Sequence, residues 1–126
     1  MILIGDQNII CEQIEKINNI SDIKNTKPNA TLLFKFDIDI LKYIQKNDLN
    51  SAVLVNSIKD AIYASSLEAK YIIPSKNILK RTQELADNYM FDSKILATID
   101  SSDDIENIAL NHIDGVIYKS IIDRSN

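Results

Sequence analysis

A chain of 126 residues, 45% hydrophobic and 25% charged, has the size and composition of one globular domain. Disordered chains, collagen-like repeats and disulfide scaffolds are excluded on that ground. The net charge of −4, a sequence pI of about 4.9 and only two arginines argue against nucleic acid and anionic membrane surfaces as partners, because both need clustered cations.

Isoleucine occurs 24 times, asparagine 13 and lysine 12, a bias that codon composition can produce, so single Asn and Lys residues carry no functional weight. The isoleucines still matter physically, because β-branched side chains favour strands and buried faces. One cysteine, Cys11, cannot form an internal disulfide, and the N-terminus lacks a basic region followed by a long apolar stretch. With no apolar run long enough for a membrane span, the expected location is the cytoplasm.

In chain order, short apolar runs alternate with amphipathic stretches. Strands are predicted at residues 2–4, 31–36, 52–55, 71–73, 94–99 and 115–118, apolar without alternation, as strands buried on both faces are. Helices are predicted at 8–20, 38–45, 58–67, 78–89 and 103–111, each with an apolar stripe at helical spacing, such as Ile10, Ile14 and Ile17 in the first and Ile78, Leu79, Thr82, Leu85 and Ala86 in the fourth. The first helix encloses Cys11, expected to pack as a small hydrophobe. Asp37, Asn56 or Ser57, Ser75, and Ser101 or Ser102 stand where helix N-caps belong. Residues 21–30, with Pro28, form the one long connection and the expected mobile loop. A faint repeat at an offset of 45 aligns Ser57, Ala64, Ile72 and Ser75 with Ser102, Ala109, Ile117 and Ser120.

The expected fold is a single α/β domain over residues 1–126, a three-layer α/β/α arrangement with a mostly parallel sheet of five or six strands. The alternative is half of a (βα)8 barrel.

Two glycines, Gly5 and Gly115, are too few for a dinucleotide fingerprint or a phosphate-binding P-loop, and no cofactor motif is present. Ligands of parallel α/β sheets bind at the carboxyl ends of the strands. The candidate ligand-binding residues there are Asp6, Ser75, Thr98, Asp100, Lys119 and Ser120. Asp6, Asp37 and Asp100 each follow a strand and would serve acid–base chemistry or an oxygen-loving cation only if they converge; as separate residues they are caps and turn residues. The sole histidine, His112, ends a helix and has no nearby partner for a dyad or a metal cluster. The acidic run 100–104 complements a helix N-terminus and repels anions.

Residues 105–120, IENIALNHIDGVIYKS, resemble the last βα turn of phosphate-binding TIM-barrel enzymes, and residues 61–75 resemble another such unit. His112 and Glu68 take the place of the glycine before the strand, and Lys119 that of the phosphate-turn glycine. The resemblance implies a barrel-type sheet, of which this chain provides half the length, and carries over no catalytic residue. The start ILIGDQN, with Thr98 and Lys119 ending successive strands, resembles response-regulator receiver domains, with Asp6 in an acidic-pocket position. Pro74 and Ser75 stand where that family has its phosphorylated aspartate, so the resemblance implies a non-phosphorylated version.

The functional expectation is a non-catalytic domain that acts through a protein partner, including a second copy of itself, or through weak small-ligand binding. The alternative is a small lyase or isomerase with its site at the strand carboxyl ends.

Overall fold

The computed structural model describes residues 1–124. Seven strands form one all-parallel sheet in the order β1-β7-β6-β5-β4-β3-β2. They are β1 (Ile2–Ile4), β2 (Ile14–Lys16), β3 (Thr31–Lys35), β4 (Asn50–Val55), β5 (Tyr71–Pro74), β6 (Lys94–Ile99) and β7 (Gly115–Tyr118). The helices are α1 (Ile38–Lys46), α2 (Ile58–Ser66), α3 (Leu79–Asn88), α4 (Ile105–Leu110) and the short α5 (Lys119–Ile122).

The first two strands of the sequence sit at opposite edges of this sheet. Six strand spacings would hold them about 29 Å apart if the sheet were flat. Instead Ile4 of β1 and Ile14 of β2 belong to one buried cluster with Leu33, Ala52, Ile73 and Ile117. The sheet is therefore curled, its edges drawn together. The α5 helix bridges the interval: Lys16 Nζ on β2 donates to the Ile122 carbonyl at 2.9 Å, and Ile121 packs over Gly5 at the end of β1.

Alternate residues divide the strands between two apolar environments. Leu32, Phe34, Val53, Val55, Ile72 and Ile95 pack outward against helix residues such as Ile40, Leu41, Ile44, Ala61, Ala64 and Ala86. The inward set is filled by the strands themselves and by Ile121. Within the expected α/β class, the half-barrel alternative is thus the arrangement adopted, with seven strands rather than five or six. The sequence pattern does not separate the two, because a face covered by helices and a face covered by facing strands are equally apolar.

The extra strand corrects the helix expected over residues 8–20. Ile14 and Ile17 point into opposite apolar clusters, as residues three apart must in an extended chain. The Ile17 N–H donates to the Leu33 carbonyl at 2.9 Å, and the Thr31 N–H to the Gln13 carbonyl at 2.8 Å, which pairs this segment with β3. Ile10 is fully exposed, and Cys11 is exposed as well, contrary to its expected packing. Leu85 is only half-buried; the inward side of α3 is Thr82, Gln83 and Ala86, so the helix is rotated from the expected phase. The long connection carries a 3-10 turn, Ile20–Asn25, opened by a capping box of Asn19 and Asp22.

Asp37, Ser57 and Ser101 cap their helical turns as expected, but Ser75 makes no capping bond. The helix ends share a further device. Asp48, Glu68, Met90 and His112 all adopt left-handed backbone, with φ between 52° and 64°. After each, the next N–H reaches back five residues: Leu49 to Ile44, Ala69 to Ala64, Phe91 to Ala86 and Ile113 to Ile108. This is the Schellman motif, usually built on glycine. In three units the left-handed residue follows the cap by eleven positions, Asp37 to Asp48, Ser57 to Glu68 and Ser101 to His112. The α2 and α4 units are therefore related by 44 residues rather than 45, pairing Ser57 with Ser101 and Ala64 with Ile108.

Candidate functional site at the carboxyl edge

An all-parallel sheet gathers every strand carboxyl end on one rim. The strand order places Asp6, Lys119, Asp100 and Ser75 after four successive strands, β1, β7, β6 and β5.

Gly5 makes the first turn possible. Its φ is +94°, and a Cβ there would stand 2.7 Å from Ile121 Cγ1 and 3.2 Å from Tyr118 Cβ. Only glycine accepts both constraints. The turn delivers Asp6 to a buried position. Its Oδ2 accepts the Tyr118 hydroxyl at 2.6 Å and its Oδ1 accepts the Asn8 N–H at 2.8 Å. The Tyr118 hydroxyl and then the Asn8 N–H hold the Asp6 carboxyl below its ordinary value, against a smaller upward push from desolvation. The same bond, with desolvation and the Asp6 charge, pushes the Tyr118 phenol up to about 12. Gly5, Asp6, Asn8, Ser102 and Tyr118 line a cavity of about 280 Å³. A carboxylate with both oxygens occupied and its ionised form favoured is poorly suited to exchange a proton with a substrate near neutral pH.

Thr98 and Asp100 share a second cavity, of about 300 Å³, with Lys76, Asp104 and Asn107 over a floor that includes Leu79 and Ile108. Ser75 is turned to its own loop, its hydroxyl donating to Asn77 Oδ1 at 2.8 Å. Lys119 and Ser120 are exposed on α5. The six candidate residues therefore divide: Asp6 stands with Tyr118, Thr98 stands with Asp100, and Ser75, Lys119 and Ser120 line neither of these cavities. Asp37 is engaged as the α1 cap, its Oδ1 accepting the Ile40 N–H at 3.1 Å.

A second polar cluster lies at the opposite rim and has no counterpart in the sequence reading. Glu12, on the segment that joins the two sheet edges, accepts from the Thr31 hydroxyl, from the Tyr71 hydroxyl at 2.5 Å and from Lys70 Nζ at 2.9 Å. Desolvation pushes the Glu12 carboxyl up, but the hydrogen bonds and the Lys70 charge together outweigh it and leave the group below its ordinary value. Burial, the Glu12 hydrogen bond and its charge push the Tyr71 phenol upward. Nothing local in the sequence marks this cluster, because Thr31 lies 19 residues from Glu12, Lys70 58 and Tyr71 59.

Among the described residues, no group of three or more His, Cys, Asp or Glu side chains is placed to hold a metal ion. Nor, among them, is any helix long and apolar enough to cross a membrane. No protein-family model matches the chain, and no curated protein matches it.

Proposed function

We propose that this chain is a non-catalytic α/β domain that works by binding, either a protein partner or a small ligand held at the carboxyl rim of its curled sheet. The observation that carries this reading is the separation of the rim carboxylates. Asp6 is fixed by Tyr118 and Asn8, Asp37 caps α1, and Asp100 is exposed in another cavity. The acid–base alternative, a lyase or isomerase, requires carboxylates that converge on one substrate with a proton to exchange. For a small anion, the rim offers Ser75, Thr98, Lys119 and Ser120, with Asp103 and Asp104 as the repelling side.

An amide-resolved NMR titration with inorganic phosphate, comparing wild type with Lys119→Ala, tests the small-ligand part. Saturable shifts at the ends of β5, β6 and β7, weakened in the variant, are expected. Shifts confined to the amino ends of the strands would remove the rim as the ligand side. Turnover of any substrate abolished by Asp6→Asn, in a protein that remains folded, would favour the enzyme alternative.

A further inference from the structure

Helices α1 and α2 both rest on β4, and α2 packs on its other side against α3. Between α1 and α2 lies a groove of about 630 Å³. Its walls carry Phe36, Ile38, Tyr63 and Leu67, flanked by Lys42 from α1 and Lys59 from α2. Tyr63 is 47% exposed, so its ring is half open to the groove rather than consumed by the core. One acid, Asp60, is also on the wall, in the first turn of α2 where the helix dipole favours it.

The charge arrangement says what fits. The one ion pair among the described residues is Lys70 with Glu12, on the far rim; Lys42 and Lys59 form none, and with Asp60 they leave the groove lining a net charge of +1 beside its apolar side chains. In a chain of net charge −4, this is a local positive excess beside an apolar floor. Two nine-residue helices frame a trough about 13 Å long, the length of two to three turns of a third helix. Apolar anchors at helical spacing would fill the floor, and acidic side chains on the flanks would meet the lysines. A phosphate backbone would leave the Phe36, Tyr63 and Leu67 floor unfilled.

We propose that the α1–α2 groove docks an acidic amphipathic helix of a partner protein, its apolar face on Phe36 and Tyr63 and its carboxylates on Lys42 and Lys59. The inference refines the protein-binding side of the reading above and rests on it.

Three helical peptides with the same Leu/Phe face, and Glu, Gln or Lys on the other face, serve as probes in an amide-resolved titration. The Glu peptide is expected to bind tightest and the Lys peptide weakest, with shifts at residues 36–42 and 59–67. Lys42→Glu combined with Lys59→Glu should weaken the Glu peptide by about tenfold or more and reverse the order. An order insensitive to charge, shifts elsewhere, or no response at millimolar peptide would overturn the groove. Concentration-dependent shifts at these same residues without peptide would name a second copy as the occupant and also overturn it. Phosphate binding at the carboxyl rim with a silent groove would leave the binding-domain reading intact and remove only this inference.

Discussion

The Tyr118 hydroxyl donates to Asp6 Oδ2 at 2.6 Å across 112 residues of sequence, joining the turn after β1 to the last residue of its neighbour β7. The bond adds a side-chain tie to the β1–β7 ladder, and it shifts both partners: the carboxyl down and the phenol up to about 12.

Tyr118→Phe should expose that coupling. A phenol raised from 10.0 to about 12 on folding contributes stability that is complete below pH 10 and is lost as pH rises through about 12. The lowered Asp6 carboxyl contributes stability above its unfolded value near 3.8, lost as pH falls through its folded value. Denaturation curves across pH should show wild type losing its advantage over the variant at both extremes. A constant difference from pH 3 to 12 would mean the bond is not formed in solution.

Glu12 provides the matching restraint at the other rim. Glu12→Ala removes the acceptor for Thr31, Lys70 and Tyr71 and should destabilise by about 1–3 kcal/mol at neutral pH, since the buried Tyr71 hydroxyl loses its partner. With the folded value below 4.5, wild type should lose this margin as pH falls through the folded Glu12 value, while the variant does not. A neutral variant would show that the segment joining β1 and β2 is held by its backbone alone.

Met90→Gly should stabilise. Met90 is 84% exposed and left-handed at φ 52°, so its side chain contributes little packing while its Cβ strains the turn. Relief of that strain should raise stability by roughly 0.5–1 kcal/mol, read as a melting temperature higher by a few degrees. A lower melting temperature would mean that Met90 packs where exposure says it does not.

The strands β3 to β7 and the helices α1 to α4 were legible in place, from apolar runs and from caps at Asp37, Ser57 and Ser101, while the phase of α3 and the short α5, which carries no cap bond, were not. The first twenty residues misled for a physical reason. Ile10, Ile14 and Ile17 have helical spacing, yet Ile14 and Ile17 find their partners in β3 and Ile10 lies exposed, and an edge strand of three residues carries no periodicity of its own. The curl was hidden because Leu33, Ala52 and Ile73 would look the same under a helix layer. At the carboxyl rim the positions of Asp6, Thr98, Asp100 and Lys119 followed from strand order, but the pairing of Asp6 with Tyr118 did not, since hydrogen bonds between distant segments leave no local pattern. The same holds for Gln83, which accepts the Asp114 N–H at 2.9 Å from the buried side of α3.

The proposed function requires the Asp6 carboxylate to serve as a structural anion rather than as an acid–base group. Carboxyl-carbon NMR of Asp6 through a pH titration tests it most directly. One titration step is expected below the ordinary aspartate value of 3.8, moving upward in Tyr118→Phe. A step raised toward neutrality, unaffected by Tyr118→Phe, would contradict it and return Asp6 to the chemistry of an active site.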